Sequence, residues 1–237
     1  MTDISLLPDH PLLGRTIVNL DARSKEFAAR GAFFAAQDPL ISKTWRRPRA
    51  WDQGQTSQCV GYSMYGMANT QPLTKDIPLK VRRSHSATDI YVWAQNNDEW
   101  PGVEPSYFGT STLAGVKALK EWNVIQAYRW GFGTEDTIRM LGYHGPVVIG
   151  INWYDGMFDT DANGFVEPSG PLAGGHAIEL HGVNVQKEYV EGTNSWGPWW
   201  GLRGRFRMRF ETLRRLLRED GECVTFDMVN SSPTGVE

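Results

Sequence analysis

Cysteine is nearly missing from this chain: among 237 residues only Cys59 and Cys223 occur. Two cysteines cannot build the disulfide framework of a small secreted domain, and a reducing interior compartment suits such a chain best. No apolar run approaches the ~20 residues that a membrane-spanning helix needs. The start, Met1-Thr2-Asp3-Ile4-Ser5, lacks the basic and apolar regions of a secretory signal. Charge of one sign is also lacking. With 24 Lys and Arg against 27 Asp and Glu, the net charge of −3 offers no broad field to nucleic acid or a membrane. There is no internal repeat and no low-complexity segment. What remains is a chain that is 41% hydrophobic with 10 Trp, 10 Phe and 8 Tyr, enough for one large domain or two lobes sharing a cleft.

Residues 1–40 read as an extension. Pro8, Pro11 and Gly14 mark an irregular start, and Ile17, Val18 and Leu20 suit a short strand. Asp21 can cap a helix carrying Phe27, Gly31 and Phe34 on one face, ending before Asp38-Pro39. That face needs a partner, so the extension is expected to dock on the body (41–237) as permanent structure. A basic strip, Lys43 to Arg49, follows and reads as a solvated edge. The next 70 or so residues are helical by period. Val60, Met64, Met67 and Ala68 share a face; Ser86 and Asp89 form a capping-box variant before Ile90 and Trp93; Pro101-Gly102 turn the chain; Gly109-Thr110-Ser111 lead into Leu113, Val116, Leu119 and Trp122.

After Trp122 the period shortens. Val124-Ile125, the run Val147 to Ile151, His176 to Val183 and Glu188 to Val190 read as strands. Arg203, Arg205, Arg207 and Arg209 alternate with Phe206, Met208 and Phe210; a short helix (Leu213, Leu216, Leu217) stops at Gly221; Val224, Phe226 and Met228 mark a last strand. Helices at about 53–123 followed by strands at about 124–237 make an α+β chain of two lobes.

Cys59 stands out by its surroundings. The polar loop Gln53-Gly54-Gln55-Thr56-Ser57-Gln58 runs into it, and Ser57 is placed as an N-cap, which puts Cys59 in the first turn of a helix. First-turn N–H groups have no intrahelical acceptor, and the positive end of the dipole favours a thiolate. Gln53 can aim a side-chain amide at the same point. A lone cysteine is more often an inert small hydrophobe, but two later segments bear on this one. His176 sits in Gly174-Gly175-His176-Ala177-Ile178, and Asn194 opens Asn194-Ser195-Trp196-Gly197-Pro198-Trp199-Trp200-Gly201. Cysteine, histidine and asparagine, each at the edge of its own element, is an order that a thiol nucleophile, its base and its orienting group can take.

In these three places the chain resembles the papain-like cysteine peptidases, and its Asp-Gln-Gly-Gln before the cysteine is similar to the bacterial and phage branch. The resemblance implies a helical lobe and an antiparallel, barrel-like β lobe with the active site in the cleft between them. It implies Cys59 as nucleophile, His176 as general base and acid, Asn194 as the residue orienting the imidazole, and Trp196 as the shield over that bond. Gln53 and the Cys59 backbone N–H would form the oxyanion hole, with the thiol and imidazole resting as a thiolate–imidazolium pair. A peptide or protein substrate, no cofactor, and a cytoplasmic or phage- or virion-associated location follow from the same likeness.

There are departures. Thr56-Ser57-Gln58-Cys59-Val60 lacks the family's cysteine before the nucleophile, and the Gly-Cys-x-Gly-Gly segment that lines the family's cleft is missing. Gly109-Thr110-Ser111 takes its place, which makes Gly109 the candidate substrate-binding residue and leaves specificity open. The 52 residues before Gln53 leave no room for the family's long inhibitory prosegment, so the full chain is expected to act without cleavage. An acyl transferase using the same three residues, or a non-catalytic scaffold of this fold, are the alternatives. No metal site is expected. His176 and His181, five apart on a strand, face opposite ways. Asp159 to Gly164 matches half a calcium loop, but Gly170 stands where the bidentate Glu belongs, so Asn163-Gly164 is better read as a hairpin turn.

Overall fold

The computed structural model describes residues 10–16, 22–47, 49–99 and 108–227. Helices come first: α1 (Cys59–Ala68), the one-turn α2 (Leu73–Asp76) and α3 (Leu79–Arg82), α4 (Ala87–Asn97) and α5 (Thr112–Glu121). Two starts are set by side chains. Ser86 Oγ accepts from Asp89 N at 3.2 Å while Asp89 Oδ2 takes the Ser86 N–H at 2.7 Å, closing the capping box of α4. Ser111 Oγ accepts from Ala114 N at 3.0 Å and starts α5. Helix α1 differs. Its cap position is Gln58, with no side-chain cap, and Ser57 Oγ instead bonds the Tyr91 hydroxyl at 2.8 Å.

Seven strands form one antiparallel sheet in the order β2 (Ala127–Gly131), β7 (Glu222–Asp227), β3 (Val147–Tyr154), β4 (Leu172–Asn184), β5 (Tyr189–Thr193) and β6 (Arg205–Arg209). The two-residue β1 (Lys43–Thr44) adds to β4. The expected barrel is therefore an open sheet. Strands β2 and β6 lie at opposite edges and do not pair, and β1 is too short to join them. Helix α6 (Gly133–Arg139) runs on as a π-helical turn through His144, which bonds the Phe226 carbonyl at 2.7 Å, and α7 (Phe210–Arg218) follows β6.

The period of two in each strand divides the core between the two faces. Val147, Ile149 and Ile151 of β3 pack with Ile138, Leu141, Leu213 and Leu216. Val148, with Ala177, Val224 and Phe226, faces the helices and meets Val60, Met64, Met67, Val116 and Leu119. Helix α1 thus lies directly on β4, which brings the loop before Cys59 to the strand that carries His176.

Several local expectations change. The helix expected over the extension is only a 3₁₀ segment, Ala22–Phe27; Gly31 takes φ +86°, and the backbone turns at Arg30–Phe34. Phe34 is buried while Phe27 is 40% exposed, so the two do not share a docking face. Val124 and Ile125 are buried in the loop ahead of β2. The expectations for Ile17, Val18, Leu20, Asp21, Pro101-Gly102 and Met228 lie outside the described residues. The Asp161 carboxylate accepts from Asn163 N and Phe165 N, both at 2.8 Å, which builds the turn at Asn163-Gly164.

Candidate active site

Cys59 is the first residue of α1 and is fully buried. Its sulfur is reached by the backbone N–H groups of Ala177, Gly14 and Val60, and Arg15 adds a positive charge nearby. These favour a thiolate, but burial outweighs them and pushes the thiol up to about 11. Cys223, also buried, is raised to about 12.

His176 stands on β4 opposite Ile151 of β3 and is fully buried. Its Nε2 lies 2.9 Å from Asn194 Oδ1, just beyond the end of β5. The same Oδ1 accepts from Ser195 N at 2.8 Å, which fixes it as the carbonyl oxygen of the amide. Nε2 must then carry the proton. Nδ1 has no partner among the described residues and is the bare, basic nitrogen. Aromatic rings enclose this bond. Trp196 stacks on the imidazole with centroids 4.9 Å apart, Trp153 meets it edge-on at 4.7 Å, and Phe158 covers the outer face of Trp196 at 5.4 Å. Burial drives the imidazole down to about 4 despite the Asn194 bond, with His10 adding a smaller push the same way. In this covered state burial favours the neutral thiol and the neutral imidazole over the charge-separated pair expected from sequence.

Gln53 is held from three sides. Its backbone N–H bonds Ser195 O at 2.8 Å, and its Oε1 accepts from Ser195 Oγ at 2.5 Å. Its Nε2 donates to Leu12 O at 3.2 Å and also to Thr56 O. Trp196 Nε1 donates to the same Leu12 carbonyl at 3.3 Å. The donor expected to serve an oxyanion is thus taken by the chain's own N-terminal segment.

That segment, Leu12 to Thr16, lies across the cleft. Gly14 N and Arg15 N donate to Gly175 O at 3.0 and 2.9 Å on the β side. On the helical side Thr110 N donates to Gly14 O at 2.8 Å and Thr16 N to Thr110 O at 3.0 Å. Only glycine fits at position 14, where a Cβ would stand 2.0 Å from Ser57 O. Gly109, with φ +90°, is the residue on which the segment rests, since a Cβ there would meet Gly14 O at 2.2 Å. The backbone bonds, however, come from Thr110. The thiol meets the Gly14 N–H, while the Gly14 carbonyl points to Thr110 and the Leu12 carbonyl to Gln53. No single carbonyl of the segment meets both sulfur and oxyanion donors, so it fills the site without being set up for attack. The expectation of activity without cleavage thus meets a site that the chain's own segment fills.

The site thus brings together Cys59, His176, Asn194, Gln53, Trp196 and Gly109. Leu12, Gly14, Arg15, Thr110 and Glu222 were missed. For Glu222 a signal existed: it shares strand parity with Val224 and Phe226, and a carboxylate on a buried face needs a cation. Among the described residues no cluster of three or more His, Cys, Asp or Glu is placed to hold a metal ion, and no helix is long and apolar enough to cross a membrane.

Comparison with known proteins gives the following. The fold is similar to Xylellain, a cysteine protease from Xylella fastidiosa, with TM-score 0.69 and 16% identity over 96% of this chain and 100% of that one. Digestive procathepsin L 3 from the Tenebrio molitor larval midgut gives TM-score 0.58 at 14% identity, over 90% of this chain and 76% of that one. In sequence, cathepsin B-like cysteine proteinase 6 of Caenorhabditis elegans is 32% identical over 83 residues, 32% of this chain and 22% of that protein. The Schistosoma japonicum cathepsin B-like cysteine proteinase is 34% identical over 72 residues, 30% of this chain and 21% of that protein. The chain therefore spans under a quarter of the length of these two relatives. Residues 104–224, which include His176 and Asn194, match the model of the papain family cysteine proteases, and the chain belongs to that family.

Proposed function

We propose that this chain is a cysteine peptidase that hydrolyses peptide or isopeptide bonds through an acyl-enzyme on Cys59. His176 Nδ1 takes the thiol proton and returns it to the leaving amine; Asn194 holds the imidazole in the tautomer that leaves Nδ1 free. The Cys59 N–H and the Gln53 amide receive the oxyanion once Leu12 withdraws. The observation that carries this reading is the double use of Asn194 Oδ1, by Ser195 N at 2.8 Å and His176 Nε2 at 2.9 Å, because only that arrangement fixes the basic nitrogen.

The chemistry proceeds in two balanced halves. The sulfur attacks the carbonyl carbon, the C–N bond breaks, and the amine leaves with the proton held on His176. Water then gives that nitrogen a proton as its oxygen bonds the acyl carbon; the C–S bond breaks, the carboxylic acid leaves, and the proton passes to the sulfur to regenerate the thiol. Each oxyanion donor lowers the barrier by about 3 kcal/mol. The helical segment 53–123 and the strands of 124–237 act as the two walls of the cleft, and residues 1–40 act as an extension whose Leu12–Thr16 stretch covers it. The test is amide hydrolysis by the chain with the segment released. Cys59→Ala, His176→Ala and Gln53→Ala should each remove most turnover while leaving the circular dichroism unchanged. Undiminished hydrolysis by Cys59→Ala would end this reading.

A further inference from the structure

We infer that Glu179 is a positioning residue for the His176–Asn194 bond, acting through one water molecule lodged between its carboxylate and the Asn194 amide. The inference rests on Asn194 being the residue that orients the imidazole, as proposed above, and adds what holds Asn194 itself.

Asn194 Oδ1 is committed to Ser195 N and His176 Nε2. The other end of the amide is not. Asn194 is buried, and its Nδ2 has no partner among the described residues. A hollow of about 10 Å³ lies against Asn194, walled by Arg47, Trp51, Gly66, Glu179 and Thr193 among others. That is about the room of a single water molecule. Two further donors on this wall are unmet, Arg47 Nε and Trp51 Nε1. The acceptor that faces them is Glu179. It shares with Ala177 the face of β4 that packs on α1, and it pairs across the sheet with Thr193, the residue before Asn194.

The two carboxylate oxygens divide their work. Thr70 Oγ1 donates to Oε1 at 2.5 Å, which leaves Oε2 for the hollow. Arg47 Nε stands 3.7 Å from Oε2, with the two side chains 6% and 3% exposed. That separation is too long for a direct hydrogen bond and suits a bridging water. Gly66 keeps the space open: a Cβ there would lie 2.8 Å from Oε2 and 3.8 Å from Trp51 Cδ1, the carbon bonded to Nε1. One water fits this set. Its lone pairs accept from Asn194 Nδ2 and Trp51 Nε1, and it donates a proton to Glu179 Oε2. Donating to a carboxylate makes the water a stronger acceptor toward Asn194. The amide is then gripped at both ends, and a half-turn that set Nδ2 against His176 would point its carbonyl dipole at the Glu179 charge.

The test has one arm with substrate and one without. In the full chain carrying Gly14→Ala to release the segment, Glu179→Gln should lower kcat for a peptide amide at least about five-fold with KM unchanged, and less than about two-fold once Asn194→Ala is also present. A merely structural role would cost the same in both backgrounds, and that result, or no loss in either, overturns the inference. Without substrate, nuclear magnetic resonance of the full chain carrying Cys59→Ala should show Overhauser contacts of a long-lived water with Asn194 Nδ2–H and Trp51 Nε1–H. Gly66→Ala, whose methyl group fills the hollow, should remove both. Absence of the contact at Asn194 overturns the inference. Should Glu179→Gln lose its native circular dichroism, Gly66→Ala takes its place in the kinetic comparison. A chain that hydrolyses nothing would refute the peptidase reading alone. The His176 Nε2–H resonance then decides for Glu179: Glu179→Gln should shift it, and should leave it in place when Asn194→Ala is present, whereas a shift in both or in neither overturns the inference.

Discussion

One methyl group should unlock the cleft. In Gly14→Ala the added Cβ would stand 2.0 Å from Ser57 O and 2.7 Å from Ser57 C, and both are backbone atoms of the loop that enters α1. Neither can turn aside as a side-chain tip could, so the segment must lift. Overpacking of a rigid site costs about 1–3 kcal/mol, which multiplies the open population roughly 5- to 150-fold at 1.4 kcal/mol per tenfold. The assay is alkylation of Cys59 by iodoacetamide at pH 7, followed by peptide mass mapping. In the parent chain Cys59 is buried with its thiol pushed up to about 11, so labelling must wait for the segment to open. Cys223, buried and raised to about 12, is the control within the same molecule. Gly14→Ala should speed Cys59 labelling at least about five-fold and leave Cys223 slow. A folded Gly14→Ala chain that labels Cys59 at the parent rate would refute the placement of the segment.

Other outcomes follow from the same geometry. Asn194→Ala should cut kcat less than Cys59→Ala or His176→Ala, because it frees the tautomer and removes neither nucleophile nor base; equal losses in steady-state kinetics would contradict this. Gln53→Ala in the Gly14→Ala background should lower kcat about 10²- to 10³-fold, the effect of one oxyanion donor, with little change in KM. Stability should fall on acidification below neutral pH. Burial holds His176 at about 4 and His181 at about 3, and lowers His144 as well, while the unfolded chain takes these protons near ~6.5. The unfolded state therefore binds more protons, and stability that is complete above pH 6.5 is lost as pH falls toward 4. The loss is about 2 kcal/mol for each strongly shifted histidine between pH 7 and 5. Glu179 and Glu222, raised by burial, oppose the trend as their carboxylates take up protons in the folded state. Urea unfolding that gives the same free energy at both pH values would contradict the burial of these rings.

What could be read from sequence divides along physical lines. Helices α4 and α5 were legible because their caps are local: Ser86 with Asp89, and Ser111 ahead of Ala114. The strands through Val147–Ile151 and His176–Val183 were legible because each face of the sheet meets its own core, and the apolar runs show it. His176 and Asn194 stood out by their neighbours, Gly175 and Trp196. Openness of the sheet was not legible, since it depends on β1 being only two residues long and joining β4. Nor was the course of the extension. Its Gly14 is needed for contact with Ser57, 43 positions away, and Arg15 for contact with Glu222, at |i−j| = 207, so nothing local marks either residue. The burial that weighs on Cys59 and His176 was hidden for the same reason. Cys59 does lie in the first turn of α1, although Gln58 and not Ser57 takes the cap position, but burial outweighs the donors around the sulfur.

The central claim is that Cys59 carries the acyl group during peptide-bond cleavage, and trapping that intermediate tests it most directly. The full chain carrying Gly14→Ala would be mixed with a peptidyl ester, quenched in acid after a few turnovers, and mapped by mass spectrometry. The account predicts a thioester on Cys59, none on Cys223, and neither adduct nor turnover when Cys59→Ala is added. Turnover that persists in Cys59→Ala, or an acyl group found on any other residue, would contradict it.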